Sequence, residues 1–152
     1  PSWPQAASCT ELCTIINQSY GVSAGKPGGW RILHEPQLRL GRDVLVPDIA
    51  GWRFETLDPH ADIPESTIAP DWACEVLSLS TEEIDRNVKR EIYAREGVPH
   101  LWLVDPRARA LEILELRERR FVRLALLEGD AEVSMPPFRE AGFKLSWLWG
   151  ER

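Results

Sequence analysis

An α/β fold, a mixed β-sheet flanked by helices, is the class this sequence predicts. Three observations lead to it. The run from Trp72 to Leu79 is apolar on both faces, with Trp72, Cys74 and Val76 on one and Ala73 and Leu77 on the other. That is the pattern of a central strand covered on both sides. A helix follows, then a second near-continuous apolar strand, "HLWLVD" at 100–105, and strand–helix–strand implies a right-handed parallel crossover. Finally, "ALEILEL" and "RFVRLALL" alternate around the charged "RERR", which reads as an antiparallel pair.

Taken in order, residues 8–19 place Cys9, Leu12, Cys13 and Ile16 on one helical face, with Ser8 and Glu11 as a capping box. "YGVSAGKPGG" is a loop. "WRILHEPQLRL" and "DVLVPDIAGW" read as strands joined across Gly41-Arg42-Asp43. The acidic "ETLDPHADIPESTIAP" is a surface loop, followed by the strand through Glu75. The next helix opens on a capping box, Ser80 with Glu83, and ends at Gly97 and Pro99. Ile84, Val88 and Ile92 form an apolar stripe on it, and Asp85, Lys89 and Tyr93 a second stripe beside the first. Tyr93 reads as packing and Asp85 as a solvated partner of Lys89. The tail "PPFREAGFKLSWLWG" is expected to pack its Phe and Trp residues on the body.

The 152 residues are long enough to bury a core and read as one domain, residues 1–152. Because the chain begins with Pro, leading residues are expected to be missing. No apolar stretch reaches the length of a membrane span and no signal-peptide pattern is present. Three cysteines without paired spacing (Cys9, Cys13, Cys74) and three scattered histidines argue against a zinc site. Free thiols in a cytoplasmic setting fit better. A net charge of −6 excludes a general nucleic-acid coat. The one locally basic segment is 107–123, with six arginines against three glutamates, so any nucleic-acid contact should be local. Its arginines at 117–123 read first as a solvated hairpin.

Three charged residues stand in segments otherwise fit for burial: Asp48 in "LVPDIA", Glu75 in "CEVLS" and Lys89 on the following helix. A buried carboxylate is costly unless paired or bound to a metal. A crossover helix can face the strand it follows, so Lys89 can reach Glu75, and the plain reading of that pair is a buried structural ion pair. Two carboxylates on neighbouring strands suit a Mg²⁺ ion, which takes one or two and leaves room for water and phosphate.

The ordered set "VPD…CEVLS-S-T…D…K…Y…GVP…W-VDP" resembles the Uma family, a bacterial group with the restriction-endonuclease-like fold of the PD-(D/E)XK superfamily. The resemblance runs from about Ser8 to Gly150 and is densest from Asp71 to Pro106. By this resemblance the family's extra N-terminal segment is expected to be missing from these residues. It implies a restriction-endonuclease-like mixed sheet and a metal-dependent endonuclease that hydrolyses DNA. The implied cofactor is Mg²⁺ or Mn²⁺, held by Asp48, Glu75 and the carbonyl of Val76; a homodimer is a candidate assembly. The superfamily's lysine two residues after the glutamate is here Leu77, and Lys89 is its implied replacement as the third catalytic residue. Pro70-Asp71 offers a second "PD", but Asp48 is preferred because the superfamily spaces the two acids on successive strands. Glu35 is left out of the site. The competing reading is a catalytically inactive nuclease-fold module that binds nucleic acid or regulates.

Overall fold

The computed structural model describes residues 3–60, 62, 66–78 and 85–151. Among these, helix α1 (Trp3–Tyr20) leads into β1 (Trp30–His34), β2 (Leu38–Leu40), β3 (Asp43–Leu45), β4 (Ile49–Arg53) and β5 (Trp72–Val76). After a π-helical turn (Asp85–Lys89) and α2 (Arg90–Arg95) come β6 (His100–Asp105), β7 (Ala110–Arg117), β8 (Arg120–Glu128), β9 (Glu132–Met135) and β10 (Phe138–Lys144). The main sheet has the order β1-β4-β5-β6-β7-β8. Only β5 and β6 run parallel, with Trp72 opposite His100 and Val76 opposite Val104, as the crossover pattern predicts. The other neighbours are antiparallel, so the sheet is mixed and flanked by helices.

β5 is buried along its whole length, and its two faces feed two cores. Trp72, Cys74 and Val76 pack with Leu12 and Ile16 of α1 and with the tail residue Phe138. Ala73 packs on the opposite face with Trp52, Tyr93 and Leu101. Each large apolar side chain removed from water contributes roughly 1.5–3 kcal/mol, which is why a strand apolar on both faces takes the centre of the sheet. Phe138 has its ring centroid 4.6 Å from that of Tyr20 and 4.9 Å from Trp72. It thereby ties the tail to the body.

Several boundaries differ from the sequence reading. α1 begins at Trp3, with Pro4 in the first turn, where a missing N–H costs nothing. Ser8 is therefore no cap: it is buried mid-helix and its hydroxyl donates to the Leu148 carbonyl at 2.9 Å. The two long hairpin strands are each interrupted, at Glu35-Pro36 and at Val46-Pro47, because proline cannot donate to the ladder. Their far ends form a separate β2–β3 ribbon with Leu40 opposite Asp43. The tail folds as the β9–β10 hairpin and a 3₁₀ turn (Leu145–Trp149), which periodicity did not reveal.

The predicted capping box at Ser80 and Glu83, and Ile84, lie outside the described residues, as does the side chain of Asp85. Val88 does not face the core as the apolar stripe required; it is 52% exposed. The wider π turn just before α2 shifts the inward face from Val88 to the Lys89/Tyr93 stripe. α2 ends as expected at Gly97, whose φ of 77° favours glycine.

At Gly51 in β4, an added Cβ would lie 2.9 Å from Ile32 Cδ1 and 3.1 Å from Trp30. Gly51→Ala is expected to cost about 1–3 kcal/mol through overpacking. Urea unfolding measures it; unchanged stability would mean that β1 and β4 do not pack this closely.

Candidate functional site

Pairing of β4 with β5 ends at Ile49 opposite Cys74, so Asp48, one residue earlier, comes opposite Glu75. Pro47 ends the preceding extended segment and leaves Asp48 in a bend. There its Oδ2 accepts the Val76 N–H at 2.6 Å. The structure thus brings the two acids to the same end of adjacent strands. Asp71 of the second "PD" lies at the opposite end of β5, where its carboxylate accepts the Arg53 N–H at 2.8 Å.

Glu75 is 1% exposed. Lys89, at the junction of the π turn and α2, donates to Glu75 Oε1 at 3.1 Å and to the Val46 carbonyl at 2.9 Å. Tyr93, one turn on, donates its hydroxyl to Glu75 Oε2 at 2.6 Å. Burial pushes the Glu75 carboxyl up to about 7; Lys89 and Tyr93 oppose that rise and the charge of Asp48 adds to it. Burial dominates because the desolvated charge is held by one ammonium and one neutral hydroxyl.

Leu77 occupies the position of the superfamily's lysine. It is fully buried and donates its N–H to the Val104 carbonyl at 2.8 Å, so the cation reaches Glu75 from the helix instead.

Other participants escaped the sequence reading. Gln5 of α1 donates to the Val76 carbonyl at 2.8 Å. It lies outside the segment expected to be helical and 71 positions from its acceptor, so no local signal could find it. The Tyr93 hydroxyl is a second such participant: the sequence predicts packing for this residue, and its i, i+4 spacing from Lys89 is the signal that points to the site. Glu35, whose N–H donates to the Asp48 carbonyl at 2.9 Å, lines a cavity of about 110 Å³ with Gln5, Cys9, His34 and Asp48. In that wall the Cys9 thiol is pushed up to about 12 by burial and by nearby Asp48, which keeps it protonated.

By donor type, two carboxylates and a carbonyl suit Mg²⁺. In the arrangement described, however, an ammonium sits on Glu75 and an amide on the Val76 carbonyl. Among the described residues no group of three or more His, Cys, Asp or Glu is arranged to hold a metal ion.

The family model described as "Uma2: Putative restriction endonuclease" matches residues 1–147. The chain belongs to the Uma2 family. Among solved structures the Uma2 chain is similar to one described as a "putative nuclease belonging to DUF820 from Anabaena variabilis ATCC 29413", with a TM-score of 0.79. The two are 22% identical over 99% of this chain and 82% of that one, a likeness that shows the nuclease-like fold. No curated protein matches. Among the described residues no helix of the Uma2 chain is long and apolar enough to cross a membrane.

Proposed function

We propose that this protein, acting as a single domain, is a nuclease-fold module that binds nucleic acid, with its acidic site latched by Lys89 and Tyr93. One observation carries the reading: both carboxylate oxygens of Glu75 are engaged, Oε1 by the ammonium and Oε2 by the phenol. A cation already 3.1 Å from Oε1 repels a divalent ion at the same oxygen. The three thiols, unbridged here, suit a reducing cytoplasm.

A second reading, a Mg²⁺- or Mn²⁺-dependent endonuclease acting on DNA, is favoured by the meeting of Asp48, Glu75 and Lys89 at one strand end. A bound metal would activate water and offset charge on the phosphoryl group. Asp48, Glu75 and the Val76 carbonyl would hold it, and Lys89 would have to leave Oε1 to serve the phosphate. Labelled duplex and plasmid DNA with Mg²⁺ or Mn²⁺, against EDTA, separates the readings. The module shifts DNA without cutting it, and Asp48→Ala leaves the shift intact. Metal-dependent nicking that Asp48→Ala reduces by about 100-fold or more would replace the first reading with the second. No shift at low salt would overturn the first.

A further inference from the structure

On a different face of the same helical segment, Asn87, Arg90 and Glu91 meet Arg119, Arg120 and Phe121 of the β7–β8 hairpin around an open hollow of about 330 Å³. Among the described residues three arginines face one glutamate there. The neighbouring arginines are neutralised: Arg117 pairs with Glu115 at 2.9 Å and Arg123 with Glu112 at 2.8 Å. Arg119 and Arg120 have no acidic partner among the described residues and are exposed. Arg90 is half-buried and anchored by donating to the Phe121 carbonyl at 3.3 Å, which holds its guanidinium against the hollow.

The turn beneath adds an independent observation. Arg117 pairs with Arg120, so Glu118 and Arg119 form a two-residue hairpin connection, with φ values of 49° and 68°. Such turns favour Asn-Gly or Asp-Gly, because both central residues need positive φ. Side chains held there carry strain, and strain of this kind gathers at ligand sites.

We propose that this hollow is a phosphate-binding site for the backbone of a nucleic-acid strand. Guanidinium forks match phosphate oxygens, and an open hollow admits a chain passing across it. The inference rests on the nucleic-acid-binding reading and gives it a contact surface apart from the acidic pair.

The test is fluorescence anisotropy of a labelled oligonucleotide against salt, for the parent, Arg119→Ala/Arg120→Ala, and Arg119→Gly. The double variant should bind about tenfold more weakly, with the slope of log affinity against log salt reduced by about 1 to 2. Arg119→Gly should also weaken binding while leaving the melting temperature unchanged or higher, since glycine accepts the turn's φ. A purely structural turn would move stability and not the salt slope. Equal binding and slope in the parent and double variant would overturn the site while leaving the module reading standing. A parent that binds no oligonucleotide would overturn both. Inorganic phosphate followed through the amide resonances of Asn87 and Arg90 provides the second arm. Saturable shifts that vanish in the double variant support the site, and none at millimolar phosphate counts against it.

Discussion

Lys89→Met is expected to leave the protein nearly as stable as the parent near pH 6 and about 3 kcal/mol less stable near pH 9. The cause is the buried carboxyl it would strand. An acid whose folded pKa lies above its unfolded value keeps, in the native state, a proton that the unfolded chain has released. Stability therefore falls as pH rises between the two values. In the parent that fall spans the ordinary value of 4.5 up to about 7, where the ammonium of Lys89 lets Glu75 ionise in place. Without Lys89 the folded pKa climbs further and the fall continues, at about 1.4 kcal/mol per pH unit. Near pH 6 Glu75 is mostly protonated in both proteins, so little separates them. Chemical denaturation across this range measures the difference. A loss independent of pH would show that Lys89 acts by packing alone. Millimolar Mg²⁺ provides a second arm: recovery of the loss would mean that the acidic pair can seat a dication once the latch is gone.

Glu75→Gln should make the protein more stable than the parent above about pH 8, by on the order of 3 kcal/mol, and similar to it near pH 5. The amide keeps the shape: its oxygen can still accept from Lys89 while its NH2 donates to the Tyr93 hydroxyl, and nothing remains to ionise in the dry interior. The parent loses stability from about 4.5 to about 7 as Glu75 gives up its proton, and the variant does not. The gain has a physical limit in Lys89, which is 21% exposed and stays solvated without a charged partner. Melting temperatures of both proteins over this range decide it. Parallel curves would mean that Glu75 ionises in the folded protein as readily as in water.

How far the site was legible depended on which forces act locally. Glu75 announced itself because a carboxylate in a doubly apolar strand needs a partner. Lys89 followed because i, i+4 spacing and a crossover helix brought one ammonium over that strand. Tyr93 was visible on the same stripe, yet its hydroxyl carried no sign of its acceptor. Gln5 was not legible at all: its bond to the Val76 carbonyl exists only because α1 docks on the sheet. Val88 shows the converse error, an apolar residue at helical spacing that a π turn leaves in solvent.

By itself the sequence determined the mixed α/β sheet, the parallel β5–β6 crossover and the presence of a charged residue in a segment fit for burial. These follow from apolar periodicity, which each strand and helix carries locally. Only the tertiary structure decided where α1 begins, how Pro36 and Pro47 divide the first hairpin, and how the tail folds around Phe138. It alone decided the state of the acidic site, because a buried charge is settled by every donor within reach. The donors come from α1 and the helix after β5 and meet acceptors from the segment before β4, all separated along the chain and joined by packing.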